Sequence, residues 1–120
     1  MRDLVGHIFQ VEQFFADLLL QEGAGATRRP PAITEKMELD DLGRMHQDAH
    51  QKLERYIGSV NDEGLERTRT LGPVTVSDRK TLTQIVLHSV HHWAQVAMEV
   101  RQAGFPAEKP QDIIASPVMK

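Results

Sequence analysis

The stretch LHSVHHWAQVAMEVRQAG, residues 87–104, decides the fold, because its spacing of apolar residues predicts a long final helix. It carries three of the six histidines of the chain within five residues. At about 100° per residue, His88 and His92 project side by side from this helix, whereas His91 points towards water. The apolar stripe beside the pair is predicted to contain Leu82, Val86, Trp93, Val96 and Val100.

Two histidines one helical turn apart direct two imidazoles from one face, and this spacing lets a helix offer two nitrogens to one metal ion. The pair alone is a weak signal, because histidines with satisfied hydrogen bonds in a helix bundle show the same spacing. A third ligand must come from elsewhere in the chain. The chain has no cysteine, so that ligand must be His, Asp or Glu.

Two further helices are predicted before the final one. Residues 3–22 form a strongly amphipathic helix in which His7 lies within the apolar face, where an imidazole needs a hydrogen-bond partner or a metal. Residues 36–60 form the second helix, which carries another pair four residues apart, His46 and His50. We interpret this pair as one partly buried and one surface histidine. His46 nevertheless rivals His7 as the third ligand.

The connections have sequences typical of turns and short strands. Residues 23–34 contain an Arg-Arg pair followed by Pro-Pro and are predicted to form a loop. The segments ERTRT (66–70) and PVTVS (73–77) alternate in the manner of strands and could pair as a short hairpin, in which Pro73 favours either an edge position or no strand at all. Ser77 is the predicted N-cap of the last helix, which runs to Ala103 and stops at Gly104.

The composition of the chain limits the number of domains, the kinds of partner and the location that can be expected. A chain of 120 residues with 40% apolar and 26% charged residues is predicted to form one globular domain over residues 1–120. The formal net charge of -3 favours neither nucleic acid nor an anionic membrane as a partner. The first twenty residues mix acidic and apolar side chains, unlike a secretory signal or a membrane span, so the cytoplasm is the expected location.

Three long amphipathic helices joined by loops predict an all-α helix bundle. If the first and last helices are neighbours, His7, His88 and His92 converge on one metal ion. Three protein ligands leave positions open for water or substrate, as in catalytic rather than structural sites. The alternative is a non-catalytic helical bundle that dimerises or binds a partner.

The chain resembles the DinB/YfiT-like metalloenzyme family. Its final helix is similar to the family signature H-x-x-x-H-R-G-Q, with His88, His92 and Gln95 at the matching positions and Trp93 and Ala94 in place of the Arg and Gly. LVGHIFQVEQFF is similar to the family helix with the first metal histidine, which corresponds to His7. The strand-like link and the proline-containing tail with Asp112, Ile113 and Ile114 also fit, so the resemblance covers most of the chain.

The resemblance implies a four-helix bundle, commonly a homodimer, with a divalent metal such as Zn or Ni on His7, His88 and His92. For some members it also implies transfer of a low-molecular-weight thiol to an electrophile, and metal-assisted hydrolysis is an alternative use of such a site. It assigns no catalytic residue beyond the metal ligands.

The family usually has a helix before the one with the first histidine, and the sequence given begins where that helix has ended. We therefore expect the fourth helix to be missing or supplied by a partner. Part of the apolar face, with Phe9 and Leu20, is then expected to be exposed and to mediate dimerisation.

Overall fold

The computed structural model describes residues 2–20 and 33–105, and these form a mainly helical fold with one small hairpin. This confirms the predicted helical fold class. The predicted loop is described only from Ile33 onwards, and the tail with Ile113 and Ile114 lies outside the described residues. The elements in chain order are α1 (Arg2–Leu20), α2 (Leu39–Ser59), α3 (Asp62–Leu65), β1 (Thr68–Leu71), β2 (Val74–Ser77) and α4 (Asp78–Gln102).

The boundaries of the long helices follow local capping chemistry. Helix α2 begins at Leu39 rather than at residue 36, because the backbone N–H of Glu38 donates to Asp41 Oδ2 at 2.8 Å and closes the first turn there. Ser77 caps α4 as predicted, since its hydroxyl accepts a hydrogen bond from the backbone N–H of Lys80. Gly104 follows the helix with a φ of 93°, a conformation that favours glycine.

The predicted hairpin is confirmed. Strands β1 and β2 pair antiparallel with Leu71 opposite Val74, so the turn consists of Gly72 and Pro73 alone. Gly72 has a φ of 55°, the positive value that a two-residue hairpin turn needs at its first central position. Pro73 thus lies in the turn, where its missing N–H costs no ladder hydrogen bond. The short helix α3 before the hairpin was not predicted.

Helix α1 is the centre of the molecule, because it packs against both α2 and α4. Each end of α1 contributes to one apolar cluster. The first is built around Ile8, Phe9, Leu42, Met45 and Val96, and the second around Leu19, Tyr56 and Ile85. The consequence for function is that α1 and α4, which carry the predicted metal ligands, lie side by side. None of the described helices is long and apolar enough to cross a membrane.

Two expectations about burial were wrong. Val86 and Trp93, predicted to lie in the apolar stripe of α4, are 61% and 39% exposed, whereas Ile85 and Val96 are buried. The buried side of α4 is narrower than predicted because, among the long helices, it packs mainly against α1. Phe9, expected to be exposed, is buried in the first cluster, and Leu20 packs against the second. Among the described residues, most of the exposed large apolar side chains therefore lie on α4, and α1 contributes none of them.

A buried ion pair joins the hairpin to the start of α4. Asp78 is 1% exposed and accepts hydrogen bonds from Arg69 Nε at 2.6 Å and from the Tyr56 hydroxyl at 2.8 Å. Arg69 also donates to the carbonyl oxygen of Leu19 at the end of α1. Burial and the Asp78 carboxylate raise the pKa of Tyr56 to about 12, so its hydroxyl stays protonated as a donor. These hydrogen bonds fix the orientation of the start of α4 relative to the hairpin.

Candidate metal centre

The first and last helices bring three histidines together. His7 comes from the first half of α1, and His88 and His92 come from one face of α4, one turn apart. One nitrogen from each of the three rings lies within 4.8 Å of the others. Three or more His, Cys, Asp or Glu side chains this close together can hold a metal ion. Among the described residues, His7, His88 and His92 are the group that meets this condition.

The distances are compatible with one tetrahedral ion. His7 Nε2 and His88 Nε2 are 3.2 Å apart, and two nitrogens on a tetrahedral zinc ion with bonds of about 2.0–2.1 Å are separated by about 3.3 Å. The ring of His92 stands edge-on to both of the others, with centroids 5.0 Å from His7 and 4.4 Å from His88. One ring nitrogen of His92 lies within 4.8 Å of the nitrogens of the other two.

Gln95 orients one of the three rings. The Oε1 atom of Gln95 lies 2.6 Å from Nδ1 of His92, one turn back on α4. A carbonyl oxygen only accepts, so Nδ1 of His92 carries the proton and donates, which leaves Nε2 as a lone-pair nitrogen. Support of this kind from behind the ring is typical of metal-binding histidines.

The surroundings of His88 favour the neutral form of its imidazole. Burial, together with the nearby His92, His7 and His91, lowers the pKa of His88 below its ordinary value of 6.5. A neutral imidazole is the form that binds a metal. Its Nδ1 is buried, and none of the described residues provides it with a hydrogen bond. The ring therefore lacks the support that His92 has.

Access to the site comes from the side of α1. His7 is exposed, whereas His88 and His92 are partly buried. A bound ion would thus have protein on one side and open positions on the other, the arrangement of catalytic metal sites. Chemically, the residues present fit a borderline divalent cation that accepts imidazole ligands.

The structure separates the rival histidines from this group. His46 lies apart from the three, with its Nδ1 2.8 Å from Glu12 Oε2 on α1. His91 is exposed, and its ring lies 5.0 Å from that of His92, centroid to centroid. Of the candidates for the third position, the helices bring His7 to His88 and His92.

Sequence reasoning missed Glu12. This residue is 8% exposed and links the three long helices, since His46 of α2 and Ser89 of α4 both donate to its carboxylate. The signal was present: Glu12 falls on the apolar side of the first amphipathic helix, where a carboxylate requires hydrogen-bond donors.

Helix bundles can carry metal and cofactor sites on side chains that face one another from packed helices, and the three histidines of α1 and α4 have such an arrangement. The model for the DinB family matches residues 1–112, so the chain belongs to the DinB family. Comparison with curated proteins and with solved structures finds no match.

Proposed function

We propose that this DinB-family protein binds one divalent metal ion, Zn or Ni, through His7, His88 and His92. We further propose that it uses the ion to transfer a low-molecular-weight thiol to an electrophile. The observation that carries the proposal is the convergence of three imidazoles, one ligand atom from each within 4.8 Å of the others, from two packed helices.

The protein's own residues have defined tasks in this proposal. The three neutral imidazoles hold the ion without neutralising its charge, and Gln95 keeps the ring of His92 in the tautomer that exposes Nε2. The exposed side at His7 admits the substrate. When bound, a divalent cation supplies Lewis acidity, which lowers the pKa of a thiol or water at the open positions.

Metal content tests the first part of the proposal. Protein purified without added metal is expected to contain about one ion per chain, as a site with three ligands holds one, and His88→Ala is expected to lose it. His91→Ala is the matched control, because His91 is an exposed histidine on the same helix. A wild-type protein without metal, or a His88→Ala variant that retains it, would contradict the site.

The reaction needs a separate test, since hydrolysis would use the same three ligands. A screen of small thiols against alkyl and epoxide electrophiles, run beside esters and amides, separates the two. Thiol transfer that is lost in His88→Ala supports the proposal, and hydrolysis alone with the same dependence supports the hydrolase. If the metal binds and neither reaction occurs, the non-catalytic bundle is favoured.

A further inference from the structure

A second histidine pair lies on α2, outside the three-histidine group. His46 and His50 are one turn apart, with ring centroids 5.2 Å from each other and the ring planes inclined by 46°. They line one surface depression together with Gln47, Gln51 and Glu54. Imidazoles at this spacing on a helix direct two nitrogens to one side.

The inner ring is held in one orientation by a buried carboxylate. Glu12 Oε2 accepts a hydrogen bond from His46 Nδ1 at 2.8 Å, and Glu12 Oε1 accepts one from the Ser89 hydroxyl at 3.2 Å. Phe9 packs on the His46 ring with centroids 4.7 Å apart. With the proton on Nδ1, the lone pair of His46 is on Nε2. A carboxylate behind an imidazole is the arrangement that recurs behind metal-binding histidines.

The outer ring is available to a ligand. The side chain of His50 is 63% exposed, and its Nδ1 lies 3.9 Å from Glu54 Oε1, a contact too long for a hydrogen bond. Glu54 is one further turn along α2, so His46, His50 and Glu54 follow one another along the same face. The ring of His46 is therefore already oriented, and the exposed ring of His50 can rotate towards it.

We propose that His46 and His50 form a second, weaker metal site for a divalent transition ion such as Cu²⁺ or Ni²⁺, with Glu12 as the residue that positions His46. Two imidazoles bind the ion and water completes its coordination. Among divalent ions of the first transition row, such nitrogen ligands favour Cu²⁺. This site does not depend on the three-histidine site or on the reaction proposed for it.

Copper titration of the His88→Ala/His92→Ala double variant isolates the second site, because only His7 of the proposed first site remains. Calorimetry is expected to show one Cu²⁺ bound per chain, and paramagnetic broadening of amide NMR signals is expected to centre on residues 46–50. Adding His50→Gln should weaken this binding at least tenfold, on the order expected when a chelate loses one of its two tethered ligands. Adding His91→Gln, the matched exposed histidine on α4, should leave it unchanged.

Glu12 has its own test. In the His88→Ala/His92→Ala background, Glu12→Gln should weaken Cu²⁺ binding by about tenfold, the lower end of the effect of removing such a partner. It should also shift the His46 ring ¹⁵N signals away from the Nδ1–H tautomer, which a purely structural role would not do.

Different experimental results would contradict the two proposed sites. Broadening centred elsewhere, or equal Cu²⁺ affinity with and without His50, overturns the second site. Unchanged metal content in His88→Ala alone contradicts the first site only.

Discussion

Because of Gln95, the two histidines of α4 differ in their hydrogen bonding. His92 is supported from behind by its side chain, while the corresponding nitrogen of His88 is buried and receives no hydrogen bond from the described residues. An imidazole that is fixed in both tautomer and angle loses less freedom when it binds an ion. Of the three proposed ligands, His92 is therefore the best prepared, and His88 depends most on the packing around it.

Removing the Gln95 side chain should weaken metal binding without removing a ligand. We expect Gln95→Ala to raise the dissociation constant for Zn²⁺ by about 10–100-fold, the usual effect of losing such a partner. Competition with a chromophoric chelator measures it. Gln84→Ala, an exposed glutamine on the same helix, should bind zinc like the wild type. Equal affinity for Gln95→Ala would show that the hydrogen bond to His92 does not matter for the site.

The lowered pKa of His88 predicts a pH dependence of stability in the metal-free protein. In the unfolded chain this histidine gains a proton near pH 6.5, whereas in the folded protein it stays neutral to lower pH. Below pH 6.5 the unfolded state therefore binds more protons, and the free energy of unfolding falls as the pH falls. Urea denaturation at pH 7.5 and 5.5 should show a larger loss for the wild type than for His88→Gln. Equal losses would contradict the neutral state of His88.

At the scale of elements, the hairpin and the N-terminus of α4 form one unit. Two of the hairpin's features could be predicted from the sequence: the alternating strands and the Ser77 cap. The role of Asp78 could not. An Asp beside an N-cap is explained locally by the helix dipole, and its actual partners, Arg69 and Tyr56, come from other elements. Local patterns predict caps and turns, but long-range ion pairs depend on packing.

Breaking this ion pair should destabilise the fold strongly. Asp78→Ala removes the buried carboxylate that Arg69 contacts and that accepts the hydrogen bond of the Tyr56 hydroxyl. We expect a loss of about 3–5 kcal/mol in the free energy of unfolding, the usual cost of removing one partner of a buried ion pair. Denaturant titration measures it.

The neighbouring Arg79 is the control, since it forms an exposed ion pair with Glu66 at 2.7 Å. Arg79→Ala should cost about 1 kcal/mol or less. Similar losses in both variants would mean that burial of Asp78 contributes little.

At the scale of the whole molecule, α1 decides which surfaces are covered. The sequence predicted three amphipathic helices, and it favoured His7 over His46 through the place of His7 in an apolar face and through the resemblance to the family. Periodicity identifies apolar faces, but which face of α4 is buried depends on the number of helices packed against it. Because α1 is its main helical neighbour, Val86 and Trp93 stay exposed although they match the helical period.

That exposed surface leads to a prediction about assembly. Val86, Leu87, Val90 and Met98 are each 56–61% exposed on α4. Val86, Val90, Trp93 and Ala97 follow the 4-3-4 spacing of a helix–helix seam. Apolar surface concentrated on one helix marks an interaction site, and a second copy presents the same seam. We expect a homodimer through this face of α4.

A charge in the seam should separate the subunits without unfolding them. Val90 is 60% exposed, so Val90→Glu removes little from the core and places two carboxylates at a symmetric interface, where like charges repel. Light scattering after size-exclusion chromatography should give the dimer mass for the wild type and the monomer mass for Val90→Glu. Val74→Glu, which alters a 50% exposed valine of the hairpin, should remain a dimer. A wild-type protein that is monomeric at all concentrations would refute the interface, and a dimeric Val90→Glu would place it on another surface.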